Sequence, residues 1–122
     1  MKIFKWFKKS PTISPEDAAR LAALTEPEIT DQLLSEQRFV VVDLETSGLN
    51  TLKDKILSIG AVTIEDSAIA LGNQFSCTLR RENHAVSESV LIHQIPPSAV
   101  AAGMPPAQAL LNFMDYVGGS PL

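Results

Sequence analysis

The sequence predicts a single α/β domain built around a three-stranded antiparallel meander, and three observations support this prediction. A continuous apolar run at residues 39–42 is rich in β-branched side chains, as in strands that are buried on both faces. Two more β-branched segments, residues 55–64 and 73–80, follow with short links, which indicates antiparallel neighbours. Residues 106–117 then carry an apolar stripe at helical spacing. A chain of 122 residues with 45% hydrophobic content suffices for one such core.

Two helices are predicted before the first strand, within an extension that covers residues 1–37. The first helix starts with Ser14 as N-cap and Pro15 at the first helical position, and it runs to about residue 24. The second helix, residues 28–37, is predicted because Ile29, Leu33 and Leu34 share one face. Residues 38–122 form the predicted main domain.

The helices after the meander are assigned to residues 87–92 and 106–117. Gly118 and Gly119 are expected to end the last helix. Its predicted buried stripe consists of Ala109, Leu110, Phe113, Met114 and Val117.

Charge is distributed unevenly along the chain. Residues 1–13 form a basic-aromatic arm with four lysines and no acid, and the rest of the chain has six basic against fourteen acidic residues, a net charge of −8. A nucleic-acid role therefore cannot rest on bulk charge, and would have to rest on metal ions or partners. The arm either docks on a membrane surface or a partner, or is a frayed terminus that packs on the domain. We favour the second interpretation and expect no membrane contact by residues 1–13.

The cysteine content bears on the compartment. Cys77 is the one cysteine of the chain, which excludes an internal disulfide and a zinc knuckle. The early apolar residues are interrupted by lysines, unlike a secretory signal. We therefore predict a cytoplasmic protein.

A pair of acids at the end of the first strand is the candidate functional site. Side chains two apart on a strand share a face, so Asp43 and Glu45 project together while Leu44 faces the other way. Adjacent carboxylates repel each other unless a cation lies between them, and hard oxygen ligands suit Mg²⁺ or Mn²⁺. On this tripeptide alone, two solvated acids would be the commoner explanation. The preceding apolar strand and the following Thr-Ser-Gly-Leu turn favour a ligand site, because glycine permits close approach of the backbone.

These residues resemble the first motif of the DEDDh family of 3′-5′ exonucleases, typified by the proofreading epsilon subunit of bacterial DNA polymerase III. That family pattern is an apolar strand, Asp-x-Glu-Thr-Thr-Gly-Leu, a loop, and a strand with Ile-x-x-Ile-Gly-Ala-Val. Here residues 43–49 read Asp-Leu-Glu-Thr-Ser-Gly-Leu and residues 56–62 read Ile-Leu-Ser-Ile-Gly-Ala-Val. Residues 92–95 resemble the family's apolar-His-Gly-Ile element, with Gln94 in place of glycine. The resemblance covers residues 38–122 and implies a ribonuclease H-like exonuclease fold.

The resemblance also implies roles for individual residues. Asp43 and Glu45 would be catalytic metal ligands for Mg²⁺ or Mn²⁺, two ions occupying the complete site. Contacts to the 3′-terminal nucleotide would come from Thr46, Gly48 and Leu49. Further substrate contacts are expected from His93 and, more weakly, Glu88.

Both histidines have a simpler alternative. From the residues alone, His93 is better explained as a helix-end histidine bonded to the backbone, and His84 as a solvated loop residue. Neither is assigned as a general base.

The expected substrate is the 3′ end of single-stranded DNA, with short RNA as an alternative that these motifs do not distinguish. A DNA polymerase is a candidate partner. A non-catalytic module that keeps the fold in order to bind nucleic acid or a replication partner is the second interpretation.

The family's later motifs, which supply two further acids and a histidine base, find no match in residues 1–122. We therefore expect the fold to be truncated after the meander and its helices, and the 122 residues to be inactive alone. Asp115 is expected to be a surface residue of the last helix rather than a substitute ligand. The outer edge of the first strand is expected to be open and hydrophobic.

Overall fold

The computed structural model describes residues 13–27, 30–82 and 94–122. Three strands, β1 (Phe39–Thr46), β2 (Ile56–Glu65) and β3 (Ala68–Thr78), form one antiparallel sheet in the order β1-β2-β3. The predicted meander is therefore confirmed. The helices are α1 (Pro15–Ala22), α2 (Pro97–Ala101) and α3 (Pro106–Val117). Within the described ranges, no helix has the length and apolar character needed to cross a membrane.

The hydrophobic core lies between one face of the sheet and α3. Alternate residues of β2 point into it, so Leu57, Ile59 and Ala61 are buried. Helix α3 contributes Ala109, Leu111, Phe113 and Val117. Phe113 packs on Phe75 of β3 with their ring centroids 5.6 Å apart. Burial of each large side chain stabilises the fold by about 1.5–3 kcal/mol, so α3 fixes which face of the sheet remains free.

Arg38 joins the start of β1 to the end of α3. Its guanidinium donates to the carbonyl oxygens of Tyr116 and Val117 at 3.0 Å each and to Ser120 Oγ at 2.6 Å. It also donates from Nε to Glu65 at 3.1 Å. A cation at the C-terminal end of a helix satisfies carbonyls that lack partners within the helix. The start of β1 is thereby fixed relative to α3.

Helix α1 begins as predicted. Ser14 Oγ accepts a hydrogen bond from the backbone N–H of Asp17 at 3.0 Å, and Pro15 follows the cap. The helix ends at Ala22, about two residues before the predicted end. Arg20 ties it to α3 through Asn112 at 2.9 Å and Asp115 at 2.6 Å. Asp115 is thus an exposed residue paired on the surface, as expected.

The predicted helix at residues 28–37 is wrong within its described part. Only a 3₁₀ turn, Leu34–Glu36, is present, and residues 28–29 lie outside the described residues. Leu33 and Leu34 are 67% and 75% exposed, so the apolar face that predicted the helix packs against nothing in the described structure. Without burial of that face, a short segment gains too little to form a stable helix.

The second and third strands meet in a tighter turn than predicted. Residues 65–72 were expected to contain a connection, but β3 begins at Ala68 and only Asp66 and Ser67 separate the strands. Both residues have positive φ, 50° and 62°, as two-residue hairpin turns of the primed type require. Aspartate adopts this conformation more readily than most residues, whereas serine gave no signal for it.

The remaining helical predictions have mixed outcomes. The bounds of α3 agree with the predicted 106–117, but Leu110 is exposed and Leu111 is buried, which reverses their predicted roles. Leu111 lies outside the core cluster that joins Ala109, Phe113 and Val117 to the sheet, so the buried side of α3 is not a single stripe. Helix α2 was not predicted, and the helix predicted at residues 87–92 lies outside the described residues.

Candidate functional site

Asp43 and Glu45 lie on the face of the sheet that α3 leaves free. Their cross-strand partners on β2 are Gly60 and Ser58, whereas Leu44 between them pairs with the core residue Ile59. Strand β1 extends four residues beyond the predicted apolar run, because this pairing continues to Thr46. Both acids are therefore held by the sheet, with Asp43 exposed and Glu45 half-buried.

Neither carboxylate is neutralised by the described part of the protein. The ion pairs there join Arg20 to Asp115 and Arg38 to Glu65, and no hydrogen bond is made to the side chain of Asp43 or Glu45. No third histidine, cysteine or acid joins them into a larger cluster within those residues. Two unpartnered carboxylates on one face form a donor set that fits a hard divalent cation such as Mg²⁺ or Mn²⁺.

A shallow groove of about 350 Å³ runs along the free face beside Asp43. Its floor is open at Gly60, where an added Cβ would meet nothing within 4 Å. Val41 and Val62 form an apolar wall on one side, and Gln74 and Ser76 of β3 lie across the groove. The acids therefore border a space that is open to solvent.

The loop that follows β1 is closed by side chains rather than by a regular turn. The pairing of β1 with β2 shifts register between Glu45 and Thr46, and Ser47 N–H then bonds to Lys55 O at 2.9 Å. Thr46 Oγ1 donates to the carbonyl oxygen of Gly48 at 2.7 Å. Irregularities of this kind at a strand end direct a segment away from the sheet.

A carboxylate inside the loop holds its backbone. Asp54 accepts a hydrogen bond from Ser47 Oγ at 2.9 Å and another from the backbone N–H of Asn50 at 2.8 Å. An added Cβ on Gly48 would lie 2.5 Å from Asp54 Oδ2, so the loop packs directly on this carboxylate. Sequence reasoning missed Asp54, because a loop aspartate near a strand is most often a solvated residue.

The tip of the loop presents leucines to solvent. Leu49 is 99% exposed and Leu52 is 91% exposed, although both are large apolar side chains. Exposed leucines are common singly, but two on one short loop beside an acid pair form a local apolar surface.

The structure brings together five of the predicted site residues. They lie at the end of β1 and at the start of the loop: Asp43, Glu45, Thr46, Gly48 and Leu49. The predicted contacts from Glu88 and His93, and the solvated His84, lie outside the described residues.

The outer edge of β1 is not fully open. Val40 N–H donates to Pro121 O at 2.9 Å, so the last residues of the chain lie beside the start of β1. The predicted open edge is therefore partly covered at the start of β1.

Cys77 lies in the core beneath the sheet and takes no part in the site. Burial raises the pKa of its thiol, which disfavours the reactive thiolate.

An antiparallel meander backed by a helix, with free acids at the end of its edge strand, is the arrangement found in ribonuclease H-like nucleases. Residues 40–121 match the exonuclease family RNase_T, and the chain belongs to that family. The predicted fold class and the exonuclease resemblance are thereby confirmed.

Two comparisons show proteins to which the chain is similar. The DNA polymerase III PolC-type protein of Clostridium perfringens is 30% identical over 87 residues, which are 71% of this chain and 6% of that protein. The chain therefore spans only a small part of this relative. The crystal structure of cell-death related nuclease 4 (CRN-4) aligns with a TM-score of 0.59 and 13% identity, over 68% of this chain and 30% of that one. This second likeness concerns the fold alone.

Proposed function

We propose that this chain carries the first half of the active site of a metal-dependent 3′-5′ exonuclease that hydrolyses terminal phosphodiesters of DNA. The observation that carries the proposal is the pair Asp43 and Glu45, whose side chains have no partner among the described residues and share one face at the end of β1. The family match and the polymerase III relative support a nuclease that acts with a DNA polymerase. A cytoplasmic location agrees with that role.

Each residue of the site has a separate task in this proposal. Asp43 and Glu45 would hold Mg²⁺ or Mn²⁺, which supplies positive charge at the phosphodiester and a more acidic water. The Thr46–Gly48 backbone would lie along the terminal nucleotide, and Leu49 would pack on its base. Residues 14–122 carry a net negative charge. The nucleic acid would therefore be held by these local contacts and the metal rather than by a basic surface.

We also propose that the 122 residues alone bind metal without appreciable hydrolysis. Two carboxylates can contribute to one ion, but within the described residues no third histidine, cysteine, aspartate or glutamate joins them, and no histidine lies beside them to act as a base. The non-catalytic module remains the second candidate, since the same observation fits a chain that binds without cutting.

Metal binding is the direct test. Mn²⁺ binding to the 122-residue chain is measured by electron paramagnetic resonance for the wild type, Asp43→Asn and Glu45→Gln. Each substitution should weaken binding by about tenfold or more, since it removes a ligand oxygen charge. Asp66→Asn is the matched control, because it removes an exposed acid from the β2–β3 turn of the same sheet and should leave affinity unchanged.

Cleavage is tested with 5′-labelled single-stranded DNA carrying either a 3′-hydroxyl or a blocking 3′-phosphate. The proposal expects no cleavage by the 122 residues, and hydroxyl-dependent shortening when the same chain is joined to the downstream coding sequence. Robust cleavage by the 122 residues alone would contradict the proposal that they carry only the first half of the active site. Equal Mn²⁺ affinity in the wild type and both acid variants would contradict the metal site itself.

A further inference from the structure

Asp54 is a carboxylate that nothing in the proposed hydrolysis requires, yet it contacts three positions of the loop next to the acid pair. We propose that Asp54 is a positioning residue, which holds the backbone from Thr46 to Asn50 in the shape that receives the 3′-terminal nucleotide. This inference rests on the proposed exonuclease function and adds a residue to that site.

The first support is a closed set of hydrogen bonds. Asp54 Oδ1 accepts from Ser47 Oγ, and Oδ2 accepts from the N–H of Asn50. Ser47 Oγ in turn accepts from Lys55 N–H at 3.0 Å, and Asp54 N–H bonds to Asn50 O at 2.7 Å. Both ends of the loop therefore converge on one side chain. Charge-assisted bonds of this kind fix geometry more firmly than neutral ones.

The second support is the packing at Gly48. Its backbone is not in the left-handed region, so conformation alone does not require glycine there. Glycine is favoured there by Asp54, whose carboxylate atoms would lie 2.5–2.9 Å from an added Cβ and would have to shift, together with their hydrogen bonds, to admit it. The backbone of the predicted nucleotide-binding turn thus rests against the carboxylate without a side chain between them.

The third support is the exposure of Leu49. A leucine that is 99% exposed would lower its free energy by folding back onto an apolar surface, and a flexible loop would allow this. The neighbouring positions Gly48 and Asn50 are both held, Gly48 by Thr46 Oγ1 and Asn50 by Asp54. Leu49 is consequently presented outward, where it can meet a base.

Replacing Asp54 removes both a negative charge and a set of hydrogen bonds, and these two losses have different expected effects on nucleic-acid binding. Removing a negative charge close to a phosphodiester should strengthen nucleic-acid binding if charge dominates. Removing the hydrogen bonds of Asp54 should weaken nucleic-acid binding if the shape of the loop dominates. The two effects have opposite signs, so the direction of the change decides between them.

The test uses the 122-residue chain and a ten-nucleotide single-stranded DNA with a 5′ fluorophore, a 3′-hydroxyl and a phosphorothioate at its last linkage. Binding is followed by fluorescence anisotropy with Mn²⁺ present, and Mn²⁺ binding is measured separately by electron paramagnetic resonance. Asp54→Ala should weaken oligonucleotide binding by about tenfold, the loss expected when a pre-organised loop is released. Mn²⁺ affinity should remain unchanged, because the Asp54 carboxylate is hydrogen-bonded to Ser47 and Asn50 of the loop and is not one of the proposed metal ligands.

Asp54→Asn provides the conservative rescue. Its amide oxygen can accept from Asn50 N–H while its amide nitrogen donates to Ser47 Oγ, so binding should stay within about threefold of the wild type. Thr51→Ala is the control within the same loop, since Thr51 is exposed and its side chain makes no hydrogen bond in the described structure. It should bind as the wild type does.

Several outcomes would overturn the inference. Unchanged or stronger binding by Asp54→Ala would show that charge dominates, and equal weakening by Asn and Ala would remove the positioning argument. A parallel loss of Mn²⁺ affinity in Asp54→Ala would indicate a general structural role. If the wild type binds Mn²⁺ but no oligonucleotide, Asp54 positions nothing although the metal site stands. If it binds no Mn²⁺, the proposed function fails first and the inference fails with it.

Discussion

We predict that replacing Arg38 lowers the free energy of unfolding, because its guanidinium joins the start of β1 to the end of α3. Arg38→Met keeps the apolar stem and removes four hydrogen bonds. The bond to Glu65 counts for little, since the two side chains are 31% and 44% exposed and surface ion pairs contribute about 0–1 kcal/mol. The bonds to Tyr116 O, Val117 O and Ser120 Oγ count for more, because their loss leaves Tyr116 O at the end of α3 without its donor, whereas Val117 O keeps the bond from Ser120 N–H at 3.2 Å.

Hydrogen bonds to a charged donor contribute about 1.5–3 kcal/mol each and do not add fully. For a partly exposed guanidinium we expect Arg38→Met to lower the free energy of unfolding by about 2–4 kcal/mol in total. In a domain of this size that corresponds to a melting temperature lower by about 10–20 °C. Arg38→Lys should recover less than half of the loss, since one ammonium cannot reproduce the planar fork.

Urea unfolding followed by circular dichroism measures the effect. Arg80→Met is the matched control, because within the described residues the Arg80 side chain makes a single hydrogen bond, from Nε to Gly103 O at 3.1 Å. It should cost about 1 kcal/mol or less. If Arg38→Met and Arg80→Met differ by less than the error of the measurement, Arg38 does not hold β1 to α3 and the reasoning fails.

Three further predictions concern the loop, the thiol and the core. Gly48→Ala should cost about 1–3 kcal/mol through the clash with Asp54; a double-mutant cycle with Asp54→Ala should recover most of it, and additive effects would refute the contact. Burial raises the pKa of Cys77, so the stability it contributes is complete below the ordinary thiol pKa and is lost as pH rises through the raised value; Cys77→Ala should reduce that alkaline decline in urea titrations, and an unchanged slope would contradict it. Leu57→Ala should cost about 2–5 kcal/mol, whereas Leu52→Ala should change stability by less than about 0.5 kcal/mol; thermal melts that rank them equally would exclude the burial assigned to Leu57.

The sequence predicted the elements whose periodicity and caps carry local information. Strand β2 alternates buried and half-buried positions along its length, and α1 starts at the Ser14 cap that was read from the sequence. The helix assigned to residues 28–37 failed because its apolar face needs a surface to pack on, and Leu33 and Leu34 find none in the described structure. Amphipathic spacing specifies a face, but tertiary contact decides whether the helix forms.

The candidate site was also predicted only where local sequence pattern determines it. Asp43 and Glu45 followed from strand parity, a property of two neighbouring residues. Asp54 did not, because its role depends on a loop that brings residues 47, 50 and 54 together, and no short pattern records that closure. The convergence of these loop residues on one side chain is visible only once the backbone path is known.

Strand β1 combines apolar positions and a pair of acids on its free face. Its outward positions change character along the strand, from Phe39 and Val41 at the start to Asp43 and Glu45 at the end. The apolar pair faces Ile64 and Val62 across the sheet, whereas the acids face Gly60 and Ser58, which add no apolar bulk. Two residues along a strand span about 7 Å, so the apolar half can be covered by protein without closing the acidic half. A cation bound at Asp43 and Glu45 therefore requires only that the end of β1 and its loop remain open, and the hydrogen bonds of Asp54 to Ser47 and Asn50 fix the shape of that loop.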